Sequence, residues 1–496
     1  MTLVLPIIVP LCTAVVLLLA PAKPAQQRWI AFTGSFAQLA AALVLFLQVQ
    51  QQGYVVAQMG DWPAPFGITL VADVFSSMLV VAVGIVGMAA CAASFGGVDP
   101  RREAYGYHPL LQILFMGVAG AFLTGDLFNL YVFFEIMLMA SFVLMALHRT
   151  NDQVAAAFNY VTINLLASAV FLTGLGLLYG SAGTLNMADL AAVWPSRHEP
   201  GLDLVLAMLF LTAFGIKAAL FPFLFWLPAS YPLPPAPIGA VFAGLLTKVG
   251  IYALIRVFSL LFRDGSPWPL TLLLWMSIAT MLLGLIGALS QRDFRRVLAF
   301  NLIGHIGYTT IGLSIGTSAA MAGSLLYLAH HILVITTLFF VSGILLQLRR
   351  TTDLAALGSL YRDHPWTGVI ALIPMFSLAG LPPLSGFIGK LAVLRGTFGA
   401  GFYVTGAVVL VVGLLTIVSI ARLWDEAFWK PATKPAVAPT PSRPLMVPVV
   451  ALSLLIVGMT VGAEPLFRMT TRAADQLLAP QDYIRAVLDS GLGRGR

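Results

Sequence analysis

Long apolar runs separated by short polar connections extend from one end of this chain to the other. Each run is about 20 residues long, which is the length of an α-helix that crosses a bilayer. The opening run lacks a basic segment and a small-residue cleavage site, so we read it as a first span and not as a signal peptide. The pattern predicts fourteen membrane-spanning helices, at residues 3–20, 29–48, 69–97, 108–125, 127–147, 155–179, 204–228, 235–262, 269–290, 294–316, 320–346, 366–395, 403–421 and 444–464.

The composition supports an all-α polytopic membrane protein and argues against several functions. Of 496 residues, 59% are hydrophobic and 9% are charged, and the mean hydropathy is +0.93. Soluble domains carry roughly 25% charged residues. Cys12 and Cys91 lie in apolar runs without metal-ligand spacing, and no glycine-rich nucleotide loop follows a predicted strand. We therefore expect no metal, no cofactor and no bond chemistry.

The basic residues predict the orientation in the membrane. The net charge is +7, and the odd-numbered connections carry fifteen lysines and arginines, while the even-numbered ones carry only Arg197, Arg263 and Arg395. Basic residues accumulate in cytoplasmic connections. We expect the odd connections in the cytoplasm and both termini on the outer side of a bacterial cell membrane.

Two spans contain residues that break helices. The seventh span contains Pro222 and Pro228, and the twelfth contains Gly380, Pro382 and Pro383. Proline removes a backbone donor and clashes with the preceding turn, so both spans should be discontinuous. The two breaks lie five spans apart, an odd number, which predicts two repeats of inverted orientation, as in many transporters.

The breaks suggest four regions along the chain. We expect an N-terminal three-span segment at 1–107, a first repeat of spans 4–8 at 108–262 and a second repeat of spans 9–13 at 269–430. Residues 431–496 should contain a proline-rich linker, the last span and a short amphipathic tail. The tail would lie on the membrane surface or contact a partner.

A small set of ionisable residues remains inside the predicted spans. Burial lowers the pKa of an amine and raises that of a carboxyl, and pairing opposes both shifts, so such groups can exchange protons near neutral pH. This chemistry predicts a row of proton-carrying groups across the membrane. Its members are Glu135, Lys217, Lys248, His330 and Lys390, with His305 and His331 as further candidates.

A purely structural interpretation competes with this hypothesis. Glu135 and Lys217 could form a fixed ion pair that only orients two helices. Three buried lysines cannot all be paired with one carboxylate, which favours the proton row for the set. His330 and His331 point about 100° apart on a helix, so we expect only one of them to face the row.

Three charged residues near the predicted outer boundary have simpler expected roles. Arg256 should extend to the outer surface and anchor its helix there. Asp73 is expected to begin the third span, and Asp126 to lie in the tight turn before the fifth.

Several segments resemble the D subunit of the Mrp-type cation/proton antiporters, whose wider family includes membrane subunits of respiratory complex I. The segments are "TGDLFNLYVFFEIMLMASF", "FPFLFWLPASYPLPPAPIGAVFAGLLTKVGIYAL", "NLIGHIGY", "LAHHILV" and "GLPPLSGFIGK". The resemblance extends from about Asp73 to the last span. It implies that the five residues of the row form a hydrophilic axis half-way through the membrane. Ile335 stands where several relatives have a lysine.

The resemblance also implies partners and leaves alternatives. Such a chain would assemble with a large A-type subunit, small C-type subunits and further membrane subunits, and would exchange protons for Na⁺, K⁺ or Li⁺. The sequence does not distinguish these cations. The alternatives are a proton-pumping subunit of a complex I (NADH–quinone oxidoreductase) or membrane-bound hydrogenase complex, and an inert membrane scaffold.

Overall fold

The structure is a computed structural model that describes residues 1–19, 23–99, 103–147, 150–197, 200–263, 265–432 and 440–489. α-Helices form most of this part of the chain, and a hairpin of two strands, β1 (Val55–Gln58) and β2 (Thr69–Ala72), precedes the third helix. The helices are α1 Leu5–Leu19, α2 Pro24–Gln52, α3 Val74–Gly97, α4 Tyr107–Leu123, α5 Leu127–Ala146, α6 Asn151–Ala182, α7 Met187–Arg197, α8 Pro200–Ala218, α9 Trp226–Ser230, α10 Ala236–Val241, α11 Thr247–Leu261, α12 Trp268–Ser290, α13 Phe294–Ile315, α14 Ser318–Arg349, α15 Leu360–Asp363, α16 Pro365–Ala379, α17 Ser385–Gly399, α18 Tyr403–Trp424, α19 Arg443–Val461, α20 Ala463–Leu478 and α21 Pro480–Leu488.

The protein is a multi-pass membrane protein. Within the described residues, 11 helical segments are long and apolar enough to cross a membrane, counting α8 with α9 and α10 with α11 as one segment each. The apolar helices α1, α4 and α16 are shorter, at 15, 17 and 15 residues. The predicted all-helical membrane architecture is therefore confirmed at this level.

The helices differ in how much of their surface other helices cover. In Ala236–Leu261 other parts of the protein bury all residues of the apolar 18-residue stretch that could cross a membrane. In Ser318–Arg349 they bury 89% of the residues in the corresponding stretch. The corresponding share in Arg443–Val461 is only 33%. The first two segments therefore form the core of the bundle, and α19 exposes most of its apolar surface, as expected for a helix that faces lipid.

The predicted seventh span is interrupted in its second half. Helix α8 ends at Ala218, and the chain passes through a 3₁₀ turn at Phe223–Phe225 before α9 begins. Pro222 lies in this interruption, as its ring predicts. The Trp226 indole donates a hydrogen bond to the Ile216 carbonyl at 3.1 Å, which satisfies one backbone acceptor near the end of α8.

The predicted twelfth span is interrupted in the same way. Helix α16 ends at Ala379, Gly380 adopts a left-handed φ of +81°, and α17 begins at Ser385. Pro382 and Pro383 occupy the connection between the two helices. A π-helical segment at residues 242–246 joins α10 to α11, and the sequence analysis did not anticipate this irregularity.

The acidic residues at two predicted helix starts have the expected role. Asp73 accepts a hydrogen bond from the Ser76 backbone N–H at 2.8 Å, and Asp126 accepts one from the Asn129 backbone N–H at 2.8 Å. Each carboxylate satisfies one of the backbone donors that a helix leaves unpaired at its N-terminus.

Arg256 corrects one expectation, because it is buried and does not extend to the surface. Its side chain is 5% exposed, and its Nη2 lies 2.5 Å from Asp73 Oδ2. The guanidinium carbon lies 5.4 Å from the ring centroids of both Tyr252 and Tyr483. The expectation failed because α3 and the tail cover this position, and both come from distant parts of the chain.

The segment after the last long apolar helix forms α20 and α21, which pack on this chain's own helices. Gln476 accepts a hydrogen bond from the Val74 backbone at 3.1 Å and donates one to the Gly53 carbonyl at 3.0 Å. Tyr483 is 3% exposed. Most of the proline-rich linker (433–439) and the last residues (490–496) lie outside the described part of the chain.

We predict that Asp73→Asn lowers the free energy of unfolding by about 3–5 kcal/mol, because Arg256 would keep a buried charge without its counter-charge. Asparagine still caps a helix, so loss of the cap does not explain the effect. Thermal unfolding of the purified protein in detergent measures it. The control is Glu464→Gln, which removes an exposed ion pair with Arg468 and should change stability by less than about 1 kcal/mol. Equal, small effects of both variants would contradict a structural role for the buried pair.

Candidate functional site

The first part of the predicted row consists of Glu135 on α5 and Lys217 on α8, joined by a residue that the sequence analysis missed. Ser168, on α6, donates a hydrogen bond to Glu135 Oε1. The same hydroxyl accepts a hydrogen bond from Lys217 Nζ at 3.1 Å. The contact between the carboxylate and the ammonium therefore passes through a hydroxyl group that can both accept and donate a proton.

The position of Lys217 depends on the interruption of the seventh span. Lys217 is the next-to-last residue of α8, and its Nζ lies 4.6 Å from the centroid of the Phe134 ring. Gly250, on α11, approaches this helix end so closely that a Cβ at Gly250 would lie 2.7 Å from the Ala218 nitrogen. This small residue, two positions after Lys248 in sequence, thus allows α11 to pack against the end of α8.

Lys248 lies in the covered centre of the bundle, at the start of α11. It is 0% exposed, and its Nζ donates a hydrogen bond to the Ala243 carbonyl at 2.5 Å. Ala243 belongs to the π-helical segment, and such segments are frequent at functional sites. In the part of the chain that the structure describes, Lys248 makes no hydrogen bond to another member of the row.

The three histidines lie in one aromatic cluster that α13 and α14 form. The ring centroids of His305 and His331 are 5.2 Å apart. His305 Nδ1 is 2.5 Å from the Tyr327 hydroxyl, and its Nε2 is 3.4 Å from the Thr416 hydroxyl. The rings of Tyr327 and His331 are nearly parallel, at 10° and 6.1 Å between centroids. His331 therefore faces the cluster, as His305 does.

His330 points from α14 toward the break in the twelfth span. Its Nδ1 lies 3.0 Å from the Ser385 hydroxyl, which in turn lies 3.1 Å from the Ser377 hydroxyl across the interruption. A Cβ at Gly386 would lie 1.7 Å from the Ser377 carbonyl oxygen, so only glycine permits this close approach of α17 to α16. His330 Nε2 has no hydrogen-bond partner among the described residues.

Lys390 lies on α17, beside the same interruption. Its Nζ donates a hydrogen bond at 2.9 Å to the carbonyl of Ala379, the last residue of α16. The Nζ is also 5.9 Å from the centroid of the Tyr308 ring, which stacks on Tyr327 at 4.9 Å between centroids. Tyr308 and Tyr327 thus connect the surroundings of Lys390 with those of the histidines.

The structure brings the predicted residues together in two groups. Glu135 and Lys217 form one group through Ser168, and the histidines with Lys390 form the other, while Lys248 lies on a separate helix without a direct hydrogen bond to either. Ile335 is 0% exposed, and its side chain is apolar. Every member can hold or release a proton, and the hydroxyl groups can pass one on.

Ser168 and Tyr327 are the functional candidates that sequence reasoning missed. Both are neutral residues, so a search for buried charge could not find them. Tyr327 lies three and four residues before the two histidines and hence on the same side of α14, and this spacing was the only available signal. Among the described residues, no group of three or more His, Cys, Asp or Glu side chains could hold a metal ion.

Comparison with known proteins identifies the family. Residues 124–416 match the family model described as NADH:quinone oxidoreductase/Mrp antiporter, TM. The D subunit of the Na(+)/H(+) antiporter of Alkalihalophilus pseudofirmus is 42% identical over 486 residues, which cover 98% of this chain and 99% of the relative.

Two solved structures have the same fold over almost their whole length. A chain of the Mrp complex from Dietzia sp. DQ12-45-1b superposes with a TM-score of 0.91 at 31% identity, covering 98% of this chain and 99% of that one. A chain of the membrane-bound sulfane sulfur reductase, an archaeal respiratory membrane complex, gives a TM-score of 0.90 at 27% identity, with coverage of 98% and 99%. The family match and the full-length similarity show that this chain belongs to the NADH:quinone oxidoreductase/Mrp antiporter family and, within it, to the D subunits of the Mrp-type antiporters.

Proposed function

We propose that this chain is the proton-translocating subunit of a multisubunit Na⁺(K⁺)/H⁺ antiporter. The observation that carries the proposal is the hydroxyl-bridged contact of Glu135 and Lys217 beside the broken helix α8, in a chain that is 42% identical to the D subunit of an antiporter. A charged pair with a hydroxyl between its members can change its protonation without a large movement. The chain itself would catalyse no bond chemistry.

The proposed path runs along the middle of the membrane through Glu135, Lys217, Lys248, His330 and Lys390, with His305 and His331 beside it. A proton that arrives at the Glu135 end weakens the attraction between Glu135 and Lys217. The positive charge on Lys217 then acts on Lys248 across the α8–α11 contact at Gly250, where the two helices approach closely. Repulsion by this charge would favour release of the proton from Lys248, and the proton would then move toward the histidine cluster and Lys390.

We also propose the finer architecture that the path requires. The 11 long segments and the three shorter apolar helices would give fourteen spans. Two inverted five-helix repeats, at 108–262 and 269–430, would follow the N-terminal segment 1–107 and precede residues 431–496. The similar interruptions at Ala218 and Ala379 support this division, and the charge pattern favours termini outside a bacterial inner membrane.

The proposed partners are the other subunits of an Mrp-type complex, namely an A-type large subunit, small C-type subunits and further membrane subunits. In this hypothesis our chain moves the proton, and a partner moves the cation. A second candidate function is redox-driven proton pumping within a complex I or membrane-bound hydrogenase complex. The 27% identity to a chain of an archaeal respiratory complex is the observation that favours it.

We predict that Glu135→Ala abolishes cation-dependent proton movement while the complex still assembles, because the path loses its carboxylate. Everted vesicles from an antiporter-deficient bacterium that carries the whole gene cluster provide the assay, and a ΔpH-sensitive dye reports whether Na⁺ or K⁺ collapses a preformed proton gradient. Wild-type rates in the variant would exclude a central role for Glu135. An assembled wild-type complex without any cation response would favour the redox-driven alternative.

We predict that Ser168→Ala slows this exchange by about tenfold or more, because it removes hydrogen bonds to two charged groups. Ser168→Thr keeps a hydroxyl and should retain most of the rate. The matched control is Ser141→Ala, which removes another buried serine hydroxyl, 2.8 Å from the Tyr160 hydroxyl on the neighbouring helix. Similar rates for Ser168→Ala and the wild type would show that the bridge is not used.

We predict that Lys248→Arg assembles but does not transport. Arginine keeps the positive charge but does not release its proton, because its unperturbed pKa exceeds about 12. The dye assay on vesicles with equal amounts of complex measures this. Lys430→Arg serves as the control, since Lys430 pairs with Glu426 at 2.7 Å outside the proposed path. Normal exchange by Lys248→Arg would mean that Lys248 does not titrate during transport.

A further inference from the structure

A cavity of about 320 Å³ lies where the ends of α3 and α14 meet the starts of α10, α13 and α19. The charge pattern assigns this end of the bundle to the cytoplasm, so the inference rests on the orientation proposed above. The polar part of the lining consists of Asp99, Arg295, Gln347 and Arg350. The cavity is separate from the proposed proton path, whose residues do not line it.

Arg295 is the buried cation of this cavity. Its side chain donates hydrogen bonds to the Ser342 hydroxyl at 3.0 Å and to the carbonyls of Pro232 at 3.3 Å and Pro234 at 3.2 Å. The residue is 7% exposed, and within the described chain its Nη2 has no hydrogen-bond partner. All three acceptors are neutral, so these hydrogen bonds do not compensate the guanidinium charge, on which the Asp293 carboxylate acts electrostatically.

The other walls add a second cation and an apolar rim. Arg350 is the exposed residue that directly follows α14, and Asp99 is the only carboxylate among the described lining residues, so two cations face one anion. The Gln347 side chain is fixed by hydrogen bonds of 3.1 Å each to the Gly96 carbonyl and the Ser442 backbone N–H. Leu346, which is 38% exposed, belongs to the rim.

We propose that this cavity binds a phosphate group, either the head group of an anionic phospholipid or inorganic phosphate. Charged guanidinium groups donate strong hydrogen bonds to phosphate oxygens, and the cavity offers the unpartnered Nη2 of Arg295 together with the guanidinium group of Arg350. The cavity lies at helix ends, which is the level of lipid head groups, and basic pockets at the cytoplasmic side of membrane helices bind anionic head groups. A bound phosphate compensates the charge of Arg295 and links α13 to α14.

The test is a titration of the purified, delipidated complex with phosphatidylglycerol or with phosphatidylcholine. Native mass spectrometry measures how much of each lipid is bound. Arg350→Gln should weaken the tightest phosphatidylglycerol binding by about tenfold. Arg295→Lys, which keeps the charge but removes the Nη2 donor, should weaken it as well. The control is Arg296→Gln, which removes the same charge from the neighbouring exposed position on α13, outside the cavity, and should leave this binding unchanged.

A parallel titration with inorganic phosphate distinguishes the two sources. Phosphatidylglycerol binding that inorganic phosphate does not displace indicates a lipid head group, and displacement at millimolar concentration indicates soluble phosphate; each supports a phosphate site. Equal losses of phosphatidylglycerol affinity in Arg296→Gln and Arg350→Gln would overturn the proposal. The binding would then result from the charge of the whole basic surface and not from the cavity. Absence of selective binding to the wild type would also overturn it. The experiment measures lipid binding and not transport. Its result therefore does not depend on whether the proposed antiport function is correct.

Discussion

The cost of an unsatisfied polar group inside a membrane constrains the rest of this structure. A buried ammonium group needs acceptors, and a helix that stops within the membrane leaves carbonyl groups without donors. The protein combines the two requirements. Lys390 donates to the carbonyl of Ala379, where α16 ends, and Lys248 donates to the carbonyl of Ala243 in the π-helical segment. The irregular backbone thus holds buried cations, and the cations stabilise the irregular backbone.

Neutral acceptors have a chemical consequence for these lysines. A lysine paired directly with a carboxylate would leave an isolated buried anion when it lost its proton, and such an anion is costly. A carbonyl or hydroxyl acceptor leaves no such charge behind. The hydroxyl of Ser168 separates Lys217 from Glu135 in the same manner. The arrangement suits groups that change protonation more than groups that only hold helices together.

Two other ion pairs, one buried and one partly buried, join an arginine directly to a carboxylate. Arg256 contacts Asp73 directly at 2.5 Å, and Arg28 contacts Glu103 at 2.8 Å. Both use arginine, which keeps its proton. At Glu103, outside the spans, burial alone would raise the carboxyl pKa, but His108, whose Nε2 lies 3.4 Å away, and the hydrogen-bonded Arg28 hold that pKa below its usual value. These pairs lie toward the ends of the helices and fix them, whereas the lysines lie beside the helix interruptions.

The sequence alone determined the membrane character, the helix starts at Asp73 and Asp126, the two interruptions and the identity of the charged residues. These features depend on local chemistry: apolar run length, capping carboxylates and prolines. Only the tertiary structure decided which groups meet. Ser168 is neutral and lies 33 residues from Glu135 in sequence. The histidines contact one another across α13 and α14. Arg256 is buried because Asp73 and Tyr483, which come from distant parts of the chain, pack against it. Hydropathy predicts how buried a type of residue is on average. A hydrogen bond depends in addition on the direction of the side chain, which the packing of the helices fixes.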